Sequence, residues 1–519
     1  MKLYKFLLLG IVAAVLAACG GTDEARQSTS VLNRAISTDP ESLDVHKARS
    51  QQALEVLRDL GEGLVTHTPG GDLTPGVAES WDMSDDGLTY TFHLRSDAKW
   101  SNGDPVTAED FVFSVNRLRN PDIGAFYASF MEDVSGIEAS DERTLVLTLR
   151  QPTPYLLSLL THPSTYPVHA ASLREHGERH ARPGNLVTNG AYRLHAWVPG
   201  STIALRRNEH YWNSANTAIE EVRYLVLTQE STQLARYRAG EIDITSTVPS
   251  ENFAQTKRDF GEQLRIAPYQ NVYYYGYNLS KPPFKDNLAL RQALSMAIDR
   301  ETLVEKVVGR GETPAYSWVP NGVRNYEPTV FSYAGLTQEE RNQIAQRLYK
   351  EAGYSEENPL QIEVRYNTSD THRAIAVAVQ SMWRDVLGFE ATLVNEEFQV
   401  LLANVRAREI TQVFRYSWSG DYDDPHTFLS VFLSDSPSNE VAYSSAEFDE
   451  LMHDAASQVD PQLRRVYLEE AERELLADHP VIPIYFYVSK HLVSPRVDGW
   501  GDNFLDYHYS SHLSLKAAD

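Results

Sequence analysis

The chain has 519 residues, a formal net charge of −24 at pH 7, 42% hydrophobic residues, 25 prolines and one cysteine. That length exceeds what a single core serves, so two or three domains are expected. The acidity disfavours nucleic acid and anionic lipid surfaces as partners, because phosphates would be repelled. A lone cysteine leaves no intrachain disulfide, so packed cores must supply the stability.

Lys2 and Lys5 precede an apolar run from Phe6 to Ala18, too short for a spanning helix and suited to an export signal. The run ends Leu16-Ala17-Ala18-Cys19-Gly20. This resembles a bacterial lipoprotein signal, with residues 1–18 removed, Cys19 acylated and 19–30 a polar tether. The other reading is an ordinary signal peptide with a chance cysteine. The body would then be soluble, held to a membrane only through the lipid on Cys19.

The mature chain opens with an expected edge strand, Val31 to Ser37, and a helix from Gln51 to Leu60 stopping at Gly61. Period-two alternation predicts strands at Tyr90–Leu94 and Thr144–Leu149. Between them Thr107 and Asp110 form a capping box for a helix carrying Phe111, Val115 and Leu118 on one face. Strands are expected at Ala191–His195, Thr202–Arg206, Val222–Leu227 and Ile242–Thr245, with a helix through Ala235. From 286 to 489 the pattern alternates more cleanly. Helices are expected near Asp286–Val308, after Thr337, at His372–Leu387, from Glu397, and at 447–457 and 461–478. Strands are expected at Leu360–Tyr366, Phe389–Val394, Val413–Trp418 and Val481–Val488. Near-continuous apolar strands between helices imply a sheet covered on both faces.

Catalytic and metal motifs are weak. His176 and His180 are spaced i, i+4, but no Glu follows the first His, so a solvated helix face is expected rather than zinc. Asp421, Asp423 and Asp424 lack the oxygen spacing of a calcium loop. There is no nucleophile elbow and no phosphate-cradling glycine loop. No cofactor or metal is expected, and an enzyme is disfavoured. Tyr273, Tyr274 and Tyr275 read as half core and half surface, or as rings facing a cleft.

The informative stretch is Arg415-Tyr-Ser-Trp-Ser-Gly-Asp-Tyr-Asp-Asp-Pro425. One reading is a strand, a turn and a helix with Asp424 as N-cap and Pro425 at its first position. The other is a site for a short zwitterionic peptide. A free ammonium suits Asp421, a free carboxylate suits the guanidinium of Arg415, and the amides between suit strand pairing.

Several blocks then lie in order: Val77-Ala-Glu-Ser-Trp81, Ala98-Lys-Trp-Ser-Asn-Gly103, Pro105-Val-Thr-Ala-Glu-Asp-Phe111, Val187-Thr-Asn-Gly-Ala-Tyr192, Tyr237-Arg-Ala-Gly-Glu-Ile-Asp243, Lys281-Pro-Pro-Phe284 and Asp421 to Phe428. Together they resemble the oligopeptide-binding proteins of bacterial ABC importers, over about residues 31–510. The resemblance implies an α/β, two-lobed periplasmic-binding-protein-like fold with an extra inserted α/β domain. One lobe would comprise 31–61, 184–268 and 498–519, with 62–183 inserted. The other would be 269–497, carrying the binding strand 413–421, and two crossovers would form a hinge. It implies that Asp421 holds a ligand ammonium and that Arg415 and Arg406 receive carboxylates. His372 would be a cation for longer ligands, and Trp418 and Phe398 pocket walls. Tyr127 and Tyr274 would be ligand-facing tyrosines, and Ser417 and Ser419 would offer backbone groups. It implies short peptides and permease subunits as partners, a monomer, and a cell-envelope location. Murein peptide or dipeptide remain alternative ligands. Arg49 and Gly276 stand where enteric relatives carry glutamates, so a more positive pocket is expected.

Overall fold

The computed structural model describes residues 30–251 and 253–516; Cys19, the signal and most of the tether lie outside the described residues. In chain order the main strands are β1 (Val31–Ile36), β2 (Ala78–Met83), β3 (Thr89–Leu94), β4 (Val134–Asp141), β5 (Thr144–Leu149), β6 (Tyr192–Val198), β7 (Thr202–Arg207) and β8 (Glu221–Val226). They continue with β9 (Leu264–Tyr277), β10 (Thr313–Pro314), β11 (Glu363–Asn367), β12 (Thr392–Glu396), β13 (Val413–Ser419) and β14 (Val481–Leu492).

These form three principal sheets, ordered β1-β8-β7-β6, β2-β3-β5-β4 and β10-β14-β9-β13-β11-β12. Each has its own buried apolar cluster, which is how a chain of this length divides its core. In the third sheet only β11 runs parallel to its neighbours, β12 and β13; the rest is antiparallel.

β9 and β14 are unusually long and join the third sheet to the first. Their upper halves pair from Val272 with Phe486 to Gly276 with Val481, inside the large core. Their lower halves pair from Leu264 with Leu492 to Pro268 with Val488, after a register shift. There Val493 bridges Ile244, which bridges Arg34 of β1. Leu264 and Leu492 pack with Ala35, Leu227 and Tyr237 in a fourth small cluster.

Local signals translate directly where they are self-contained. Helix Gln51–Leu60 starts on Ser50, whose hydroxyl accepts the Ala53 N–H, and it ends at Gly61. The capping boxes at Thr107/Asp110 and Thr337/Glu340 both form, opening helices Ala108–Leu118 and Gln338–Glu351.

Elsewhere tertiary contacts override the pattern. Ile242–Thr245 is no strand; Ile244 only bridges its neighbours. The expected helix from Asp286 to Val308 breaks into Leu288–Met296, Arg300–Thr302 and a wider turn, Leu303–Val308. The buried Arg300 guanidinium sits at that break, donating to the carbonyls of Ser295 and Pro483. His180 is buried rather than solvated, with Nε2 3.7 Å from Asp44.

Candidate functional site

β13 is half covered. Along one edge it pairs with β9 from Val413 with Tyr277 to Ser419 with Asn271. Along the other edge β11 reaches only Val413 and Phe414. The Gly420 N–H donates to the Gln270 carbonyl (2.9 Å), and the Asn278 N–H to the Gln412 carbonyl (2.9 Å). Antiparallel alternation therefore turns Phe414, Tyr416 and Trp418 toward β9 with their backbone groups. It leaves the N–H and C=O of Ser417 and Ser419 on the open edge. A run of unpaired strand edge is a template for an added strand.

Arg415 stands at the base of this edge. Its side chain is 7% exposed, with the guanidinium 4.7 Å from the centre of the Tyr273 ring. It donates to the Tyr487 hydroxyl (2.9 Å) and Asn367 Oδ1 (3.2 Å), and its Nε has no partner. No carboxylate among the described residues pairs with it. A buried cation without an acid is costly unless an anion arrives.

Asp421 stands at the far end. Gly420 brings the chain against the Phe428 ring, where a side chain would have to displace that ring. The Asp421 N–H then donates to Thr427 Oγ1 (3.1 Å), and Trp418 Nε1–H donates to the Thr427 carbonyl (2.8 Å). Thr427 thus fixes both residues. Asp421 is exposed to solvent, although protein atoms crowd around its carboxylate, and no side chain among the described residues donates to it. Lost hydration raises its pKa to about 6. Tyr127 lies within electrostatic reach. Its hydroxyl is pushed up to about 12, first by burial and then by the Asp421 charge.

A cavity of about 850 Å³ opens beside Trp418 and Asp421, walled on the other side by residues between Ser129 and Leu159. Tyr155 stacks on Tyr422 (centroids 5.0 Å apart) and on His426 (4.4 Å), tying the second sheet's body to the third's.

The site residues expected from sequence fall into two groups. Arg415, Ser417, Trp418, Ser419 and Asp421 lie along the open edge or the cavity, and Tyr127 is within electrostatic reach of Asp421. His372 is close to Arg415 but is held neutral, its pKa pushed down to about 3 by burial and by the Arg415 and Arg310 charges. It can offer a ligand a hydrogen bond, not a positive charge. Tyr274 is 5% exposed, packed edge-on against Trp318 and Tyr416 in the core rather than facing a ligand. Arg406 is exposed, 3.4 Å from Glu440, and Phe398 projects from the first turn of helix Phe398–Ala407 into solvent. Asp424 does not cap as expected: Pro425 holds the N-cap position, while Asp424 accepts the His426 N–H and pairs with Arg464.

Sequence reasoning passed over Tyr487, Asn367 and Thr427, and left Tyr273 open between core and cleft. Alternation along β9 gave the signal for Tyr273, since Tyr273 and Arg415 point to the same face. Asn367 and Tyr487 come from separate strands, and only the sheet order brings them to Arg415.

The expected acid deficit has a packing basis. Gly276 pairs with Phe414, and a Cβ at 276 would overlap the Phe414 ring. Arg49 is exposed, and its N–H donates to Glu41. Gly276→Ala is expected to destabilise the fold by about 1–3 kcal/mol through overpacking, read as a lower urea midpoint. Adding Phe414→Leu should recover part of the loss.

The Asp421 shift predicts a pH profile for any ligand held there by an ammonium. Below pH 6 the free carboxylate carries a proton that binding must expel, so affinity falls about tenfold per pH unit. Above about pH 8 an α-amino ligand loses its own charge and affinity falls again. Titrations should show a plateau between these limits and about tenfold weaker binding at pH 5 than at pH 7. A flat profile to pH 5 would contradict the assignment.

The model of the bacterial extracellular solute-binding proteins, family 5 Middle, matches residues 72–440. The chain belongs to this family and has the mixed α/β, multi-domain fold of periplasmic binding proteins. It is 39% identical over 528 residues to the periplasmic oligopeptide-binding protein OppA of Escherichia coli (strain K12), covering 98% of this chain and 96% of that one. Among solved structures it resembles the periplasmic murein tripeptide binding protein MppA in its unliganded open form. That match has a TM-score of 0.85 at 34% identity, covering 94% of this chain and 98% of that one. It also resembles Haemophilus influenzae OppA in complex with RPPGFSPFR, with a TM-score of 0.77 at 35% identity over 94% and 99% of the two chains.

Proposed function

We propose that this protein is the substrate-binding component of an ABC peptide importer, capturing short peptides between two lobes. A ligand's ammonium meets Asp421, its backbone pairs with the open edge at Ser417 and Ser419, and a carboxylate reaches Arg415. The observation that carries this reading is the bare strand edge running between a buried cation and an unpaired anion, neither neutralised by a described residue.

The energetics suit a receptor tolerant of sequence. Micromolar affinity needs about 8 kcal/mol net. Several backbone hydrogen bonds at about 1 kcal/mol and two charge-assisted contacts at about 2 kcal/mol can supply it once ordering costs are met. Side chains then need only room.

In the lobe division 31–61, 184–268 and 498–519 against 269–497, with 62–183 inserted, β9 crosses between the lobes at 268/269. β14 is its paired second crossover if the later boundary is drawn near 488 rather than 497, since Leu492, Val493 and Val497 pack with the first lobe. Closure about them would bury the ligand. The likeness to an open, unliganded relative supports reading the present geometry as the receiving state. We propose a monomer that delivers to permease subunits and is held to the cell envelope by lipid on Cys19. Cys19→Ala should move the protein from the membrane to the soluble fraction on cell fractionation.

A second reading, a murein-peptide receptor, is favoured by the unpaired Arg415 and by the likeness to MppA. Mass spectrometry of whatever the purified protein releases on denaturation separates the two. Mixed short peptides with free amino termini support the first reading, and a single cell-wall fragment supports the second. Release of non-peptide solute alone contradicts both.

A further inference from the structure

A cluster of metal-ligating side chains lies away from the peptide site, where the C-terminal segment meets the lower half of β14. His491 of β14 and His508 both aim Nε2 at one oxygen of Asp506, at 2.9 and 3.0 Å. The ligating atoms of the three side chains lie within 4.8 Å of one another. Tetrahedral zinc, with ligands at about 2.0–2.2 Å, sets its donor atoms about 3.4 Å apart. Small side-chain rotations therefore turn this trio into a coordination shell.

Two features independent of that convergence orient the ligands. His491 Nδ1 lies 2.8 Å from the Thr245 carbonyl, which can only accept, so Nδ1 carries the proton and Nε2 faces Asp506. Metal-bound imidazoles characteristically hold such a partner on the far nitrogen. The Trp500 ring stacks on His508 with centroids 3.6 Å apart. Its indole N–H donates to Asp502, which pairs with Arg265 of β9, so the stack is itself anchored. The neighbouring charges balance: Arg34 donates to the His508 carbonyl and pairs with Glu55 at 2.8 Å. The Asp506 side chain is 25% exposed, so an ion can reach it from solvent.

We propose that His491, Asp506 and His508 form a site for a borderline divalent cation, zinc or a close substitute, with water completing the set. Two imidazoles and one carboxylate match that class, whereas magnesium and calcium favour all-oxygen sites. Binding forms two metal–nitrogen bonds and one metal–oxygen bond, and the proton between His491 Nε2 and Asp506 leaves to solvent. The ion staples the C-terminal segment to β14. The site does not depend on the peptide reading.

Calorimetric titration of untagged protein with ZnCl2, and with MgCl2 as the control, tests this. One zinc per chain should bind at micromolar concentration or below, and magnesium should not compete. His508→Asn should weaken zinc about a hundredfold, the upper end of what losing an orienting partner costs. That variant also removes a hydrogen bond, so a second measurement reads coordination itself. Co2+ added to the native protein should give the strong visible absorption of a four- or five-coordinate site, and His508→Asn protein should not. A weak spectrum like that of aqueous Co2+, or zinc bound equally by native protein and variant, overturns the site. The trio would then be a hydrogen-bonded latch, with adventitious surface binding only.

Discussion

Asp421→Asn is expected to weaken tripeptide binding thirtyfold to a thousandfold, about 2–4 kcal/mol, with the fold unchanged. Asparagine has nearly the same shape, so the Asp421 N–H to Thr427 Oγ1 contact and the neighbouring Trp418 contact should persist. What is lost is the negative charge at a place where crowding by protein already raises the carboxylate pKa to about 6. Because the charge is unpaired in the free protein, its removal should not destabilise the unliganded fold. The affinity loss would therefore report the contact with the ligand. N-acetylation of the peptide should cost the native protein a similar factor and the variant little, as expected when two changes delete one interaction.

Arg415→Met is the second large expectation. The guanidinium is buried against Tyr273 and has only neutral partners, Tyr487 and Asn367. Methionine keeps an unbranched apolar stem and deletes the charge. Binding of a peptide whose free carboxylate reaches this position should weaken about thirtyfold, about 2 kcal/mol, while its C-terminal amide loses little. The unliganded variant should melt no lower than the native protein, because an uncompensated buried charge is removed. A clear drop in melting temperature would mean that Arg415 serves the fold rather than the ligand.

The parts of the site that were legible in the sequence are those in which one short segment carries the chemistry. Arg415 and Asp421 could be paired as cation and anion because only five residues of strand and turn lie between them. The helices opened by Ser50, Thr107 and Thr337 were legible for the same reason, since a cap and its partner lie within three residues. What was hidden depends on distant segments. That the edge is open follows from β11 stopping its pairing at Phe414. That Tyr274 turns into the core follows from Trp318, more than forty positions away. Asp424 still accepts one backbone N–H, from His426, but its pairing with Arg464, forty positions on, could not be read locally. His372 looked like a cation until its burial and its neighbours, Arg415 and Arg310, were known.

A crystal structure of the protein with bound tripeptide puts the whole account at risk in one measurement. It should show the ligand's amino nitrogen within hydrogen-bonding distance of the Asp421 carboxylate and its backbone paired with Ser417 and Ser419. A tripeptide lying elsewhere, or one seated with its amino terminus remote from Asp421, would contradict it.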